Sequence, residues 1–216
     1  MSKESLPIFR WILLGIMSLF FSLPMIFPAS SPGRYAGSIP YFDVIAFFGS
    51  SIVVVVVYFL LRFQSYLQKD TVLKIQSNSI ERLSRSLSAK DPISKKLDRL
   101  REDKGVLAIF HSILESDESM KEKAKSMYWY EFIWNVLADL IGISAIASAG
   151  YFIYSWINTN PIIILFGILS IGICIAARYG FFPKAMNQYV EKSNEQFEQV
   201  IQLKMDEFRE SVLRLF

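Results

Sequence analysis

The stretch 132–156, FIWNVLADLIGISAIASAGYFIYSW, decides the fold. It holds a single side chain charged at neutral pH, Asp139, and no proline. As a helix rising about 1.5 Å per residue it covers the roughly 30 Å of a hydrocarbon core. A helix is the expected form, because backbone groups without water must find hydrogen-bond partners within their own segment. Its second half is rich in small residues, from Gly142 and Ser144 through Ala147 and Ser148 to Gly150, which let a neighbouring helix approach closely.

Three more apolar runs lie outward of this one, at 8–27, 42–61 and 161–182. The last carries Gly167, Ser170, Gly172, Ala176 and Ala177, so tight packing between the third and fourth runs is expected, with a subunit interface or a pore lining as the alternative. Pro40 and Pro161 stand near run starts, Gly180 and Pro183 suit a helix end, and Pro24 predicts a kink or early stop. The first run, with Lys3 and Arg10 towards its start and Ala29 to Ser31 after it, is longer than a typical leader core and is read as a span. The expected fold is all-α: a polytopic membrane protein with four transmembrane helices, a helical cytoplasmic insertion between spans two and three, and a C-terminal cytoplasmic amphipathic helix. Its divisions are 1–61, 62–127, 128–182 and 183–216.

Orientation follows from Lys and Arg, which accumulate on the cytoplasmic side. Segment 62–127 holds fourteen, whereas loop 28–41 holds only Arg34 and turn 157–160 none. Both termini and the middle segment are therefore expected in the cytoplasm of a bacterial inner membrane. Trp11, Trp129, Trp134 and Trp156 near run ends match the aromatic belts at lipid headgroups.

Within the middle segment Val72, Ile75, Leu83 and Leu87 recur at helical spacing, extending the second span inward to about Ala89. Asp91 and Pro92 then cap a short helix with Ile93, Leu97 and Leu100 on one face, and Gly105 stops it. Another piece follows at 106–114, and Ser116 and Asp117 cap a last helix running through Met120, Ala124 and Met127 into the third span. In the tail, Val190, Phe197, Ile201, Met205, Phe208, Val212 and Phe216 repeat by sevens, fours and threes. This stripe either packs under the chain's own cytoplasmic segment or forms a seam with other subunits or a partner, with Phe197, Ile201, Met205, Phe208 and Val212 as the contact face.

An ionisable group inside a span costs several kcal/mol, roughly, unless it is paired or hydrated. Asp139 is the clearest case, one turn beyond Asn135 on the same face, and Arg178 on the fourth run reaches a comparable depth. A pairing of Asp139 or Asn135 with Arg178 would staple spans three and four; the functional reading of the same groups is a proton or ion relay. Catalytic groups are sparse. His111 is the sole histidine and Cys174 the sole cysteine, so an intramolecular disulfide is excluded, and no phosphate-cradling or hydrolase motif occurs. No enzyme activity, metal or cofactor is expected, and a net charge of +3 gives no argument for direct nucleic-acid binding.

Two spans, a cytoplasmic insertion, two more spans and a helical tail resemble the layout of flagellar-stator and related proton-channel subunits. Length, span placement and helical cytoplasmic portion together also resemble, over the whole chain, the membrane subunit of Kiwa-type antiphage defence systems. That resemblance implies a homo-oligomer in the lipid bilayer that senses the membrane and binds a cytoplasmic effector protein. The expected function is thus a homo-oligomeric sensor or scaffold recruiting a soluble partner; the alternative is an ion or proton channel subunit titrating at Asp139.

Overall fold

The computed structural model of the chain describes residues 5–22, 41–61, 63–86, 105–158 and 161–213. Among these every regular element is a helix: α1 (Ser5–Ser22), α2 (Tyr41–Leu60), α3 (Phe63–Ser86), α4 (Gly105–Ser116), α5 (Glu118–Asn158), α6 (Pro161–Ile175), a π-helical segment (Ala176–Phe181) and α7 (Phe182–Leu213). Pro24, Pro40, Ala89 and the expected helix from Asp91 through Leu100 lie outside the described residues. Two helical stretches are long and apolar enough to cross a membrane, Glu118–Trp156 and Ile163–Ser211. A third arises if α2 and α3, bent at their junction, count as one span, and the apolar part of α1, Leu6–Ser22, is shorter.

Two compact units divide the chain between Leu67 and Gln68, between Glu131 and Phe132, and between Lys184 and Ala185. The apolar unit contains α1, α2, the first turn of α3, the second part of α5, α6 and the π-helical segment. Its core gathers Leu14 and Phe21 of α1, Val54 and Tyr58 of α2, Ile143, Ala147 and Tyr151 of α5, and Ile163 of α6. Polar and apolar groups are inverted relative to a water-soluble domain. Ser18, Ser22, Ser51, Ser144, Ser148 and Ser170 are buried, while Ile12, Ile16, Phe20, Ile52, Val53, Leu165 and Leu169 lie exposed. The buried hydroxyls are kept inexpensive by local bonds: Ser22 donates to the Ser18 carbonyl (2.8 Å), Ser144 to that of Leu140 (2.6 Å) and Ser170 to that of Phe166 (2.8 Å). A hydrocarbon solvent stabilises such an arrangement, and water would penalise it.

Contacts between helices fix their directions. Arg10 meets Asp139 while the Tyr151 hydroxyl donates to the Phe21 carbonyl. The separations are eleven residues on α1 and twelve on α5, about 17 and 18 Å, so these helices run parallel. Ser148 donates to the Gly167 carbonyl (3.2 Å) and Cys174 Sγ lies 3.7 Å from the Ile141 carbonyl, so α5 and α6 run antiparallel. Close approach there depends on Gly167, where an added Cβ would stand 3.2 Å from the Phe152 ring.

The amphipathic unit packs α3, α4, the first part of α5, and α7. Met120, Ala124 and Met127 are buried at the expected spacing, and Phe110, Ile113 and Leu114 of α4 join them. On α3 the covered face is Thr71, Ile75 and Ser79, whereas Val72, assigned to it by hydrophobicity, is exposed. Asp117 caps α5 as expected, accepting from the backbone N–H groups of Ser119 (2.9 Å) and Met120 (3.3 Å). These amides, with Lys204 Nζ at 3.5 Å, hold its carboxyl below the ordinary aspartate value. A depressed native pKa contributes stability that is present above the unfolded value of about 3.9 and lost as pH falls through the native one. The thermal midpoint of the protein should therefore exceed that of Asp117→Asn at about pH 6, and the gap should begin to close as pH falls below about 3.9. A gap that ignores pH would remove this role.

One expectation for the last third of the chain is corrected. Gly180 and Pro183 do not end a helix: the chain stays helical through both, from Pro161 to Leu213. Pro183 lacks an N–H, and in an α-helix its ring would clash with the carbonyl four residues back. That carbonyl, of Tyr179, belongs to the π-helical segment, where the register shifts and the Phe182 N–H bonds to the Ala177 carbonyl. Phe197 and Phe208 of the tail stripe pack within the chain's own amphipathic unit. Both are fully buried, their rings 5.6 Å apart, and Phe197 also meets Phe110 at 5.1 Å. Eleven residues of straight helix span about 16 Å. The contact is made possible by a break at Lys204 (φ −136°, ψ 29°). Ile201 and Met205 are half-buried, and the Val212 side chain lies outside the described residues.

Candidate functional site

Within the apolar unit, polar side chains from four helices converge on Asp139. Arg10, in the second turn of α1, donates from Nε to Asp139 Oδ2 at 2.6 Å and from Nη2 to Oδ1 at 2.7 Å. The Tyr58 hydroxyl, near the end of α2, donates to the same Oδ1. Arg10 Nη2 also reaches Gln64 Oε1, in the first turn of α3, at 2.6 Å, and Gln64 Nε2 donates to Asn135 Oδ1 at 3.1 Å. Asn135 and Asp139 stand one turn apart on α5, so a single helix face supplies both acceptors at this end of the network.

The arrangement ties helices together at one point. A guanidinium fork against a carboxylate is the strongest geometry available to such a pair. The Asp139 side chain is 2% exposed and Arg10 25% exposed, so the pair is shielded on the acid side.

The structure brings Asn135 and Asp139 together but corrects their pairing with Arg178. Arg178 is exposed, and its guanidinium lies over the Phe182 ring, 5.4 Å from the centroid. Sequence reasoning missed Arg10 because, beside Lys3, it reads as the basic flank of the first run. Its place after Ile8 and Phe9 and before Trp11 and Ile12 was the available signal: it is a cation inside a run, as Asp139 is an anion inside another. Tyr58 gave less warning, since an aromatic near a span end has an ordinary interfacial explanation.

His111 sits between Phe110 (5.3 Å) and Tyr128 (6.4 Å). Among the described residues no cluster of His, Cys, Asp and Glu has the geometry to hold a metal ion. The amphipathic unit does carry an open polar groove of about 480 Å³, with Lys74, Asn78 and Arg82 of α3 on one wall and Glu191, Asn194 and Glu195 of α7 on the other. Arg82 pairs with Glu198 within it. The chain matches no known family, no curated protein and no solved structure.

Proposed function

We propose that the chain is a homo-oligomeric membrane scaffold with four membrane-crossing helices, in which α1, α2, the second part of α5, and α6 anchor a cytoplasmic amphipathic unit that recruits a soluble protein. The observation that carries this reading is the closed network at Asp139. A scaffold needs its helices locked, and a carboxylate held by Arg10 and Tyr58 locks three of them around one point. The apolar exterior of the unit is what lipid, or a second copy of the chain, would cover. The weight of Lys and Arg in 62–127 against the short connecting loops supports a cytoplasmic position for the amphipathic unit. Its groove presents cations on one wall and carboxylates on the other, chemistry suited to a polar protein segment rather than to a catalysed reaction. Membrane sensing coupled to a cytoplasmic effector in antiphage defence, which the resemblance to Kiwa-type systems implies, is the biological form of this proposal.

The test is purification of the full chain from the cells that encode it, alongside a Lys74→Glu, Glu195→Lys variant that reverses a charge on each wall. A soluble protein recovered in fixed ratio with the native chain and lost with the variant is expected, and proteoliposomes of the native chain should hold a proton gradient. Purification without such a protein, together with proton flux abolished by Asp139→Asn, would overturn the scaffold in favour of a channel subunit.

A further inference from the structure

The helix that starts at Pro161 is uncharged up to Ala177, seventeen residues or about 25 Å, before its first charge, Arg178. If it crosses a hydrocarbon core of about 30 Å, Arg178 arrives near the far border of that core, at the depth of lipid phosphates. The backbone changes form there, from α to the π-helical segment 176–181, a local irregularity often found at functional positions.

Arg178 is exposed yet oriented. Its guanidinium rests on Phe182, which is 2% exposed and packs against Trp134 at 6.3 Å. Among the described residues no carboxylate pairs with it, in contrast to Arg10 and Arg82. A guanidinium stacked on a ring keeps its N–H donors along its edge, where they suit the oxygens of a phosphate. Tyr179 and Phe181 flank it, 78% and 62% exposed, and exposed Lys184 adds a second cation close by in sequence. Large exposed aromatics beside a cation would be costly in water but are at home where acyl chains meet headgroups.

We propose that the π-helical segment forms a binding site for the phosphate of an anionic phospholipid, with Arg178 as the bidentate donor and Tyr179 and Phe181 against the upper acyl chains. This rests on the membrane reading above, goes beyond it in naming a ligand, and assigns Arg178 a role that Asp139 does not share.

The experiment is native mass spectrometry of the full chain released from detergent micelles with equal amounts of dioleoylphosphatidylglycerol and dioleoylphosphatidylcholine. Preferential retention of the phosphatidylglycerol is expected. Arg178→Gln should reduce that retention about tenfold, the effect of losing one charge-assisted hydrogen bond, and Arg178→Lys should fall between, since it keeps the charge but not the fork. Helicity by circular dichroism, unchanged in both variants, separates loss of the site from loss of the fold. Equal retention of the two lipids, an Arg178→Gln variant that behaves as the native chain, or displacement of the phosphatidylglycerol by inorganic phosphate would each overturn the proposal. The membrane reading fails separately, if alkaline carbonate strips the native chain from membranes.

Discussion

Arg10→Ala is expected to destabilise the protein by about 3–5 kcal/mol, because it leaves the Asp139 carboxylate buried without its counter-ion, and Asp139→Ala should cost less, because the Arg10 guanidinium is a quarter exposed and keeps Gln64. The two losses should not add. With both charges gone the desolvation penalty disappears as well, so Arg10→Met with Asp139→Leu should recover most of what either single change removes. Asp139→Asn falls between, keeping an acceptor for Tyr58 but leaving the Arg10 guanidinium without its counter-ion. Arg10→Lys should recover less than its charge suggests, since an ammonium cannot make the two in-plane bonds to Oδ1 and Oδ2 while also reaching Gln64. Unfolding of the full chain in mild detergent, followed by tryptophan fluorescence, gives these values directly. Single variants within about 0.5 kcal/mol of the native chain would mean that the network is solvated and fixes nothing.

Phe197→Ala should cost a similar amount, about 3–5 kcal/mol, but in the other unit. Phe197 is completely buried and holds two aromatic neighbours at once, Phe110 of α4 and Phe208 beyond the break in α7. Removing its ring leaves a cavity where these three segments meet. Amide exchange on the full chain is the suitable readout. Protection should fall in α4 and in α7 on both sides of Lys204, while α1 and the end of α5 keep theirs. Phe208→Ala should loosen chiefly the part after Lys204. Uniform loss of protection over the whole chain would show that the two units unfold together and would remove the local interpretation.

Much of this was legible in the sequence where one segment carries its own signal. An apolar run states its solvent, and Asp117 announces a helix start because its side chain bonds to amides two and three residues on. Asp139 and Asn135 were visible as polar groups in an apolar run. Their true partner was not, because the choice between Arg10 and Arg178 depends on which helices lie side by side, and depth along a helix does not determine facing. The break at Lys204 had no local mark either, with neither glycine nor proline between Ile201 and Phe208. It is fixed by distant groups: the buried aromatic cluster, and Asp117, whose carboxylate lies 3.5 Å from Lys204 Nζ. The covered face of α3 escaped for another reason. Thr71 and Ser79 are polar by type, so a search for apolar spacing passes over them, yet they are small enough to be covered.

The pairing of Arg10 with Asp139 joins residues 129 positions apart. At a synthesis rate of about 5–20 residues per second, the carboxylate leaves the ribosome roughly 6–26 seconds after the arginine. During that interval α1 has a guanidinium and no counter-ion. The arginine stem is long enough to keep its head in water meanwhile. Final seating of the first helix is thus a late event, timed by the birth of a segment 129 positions further on.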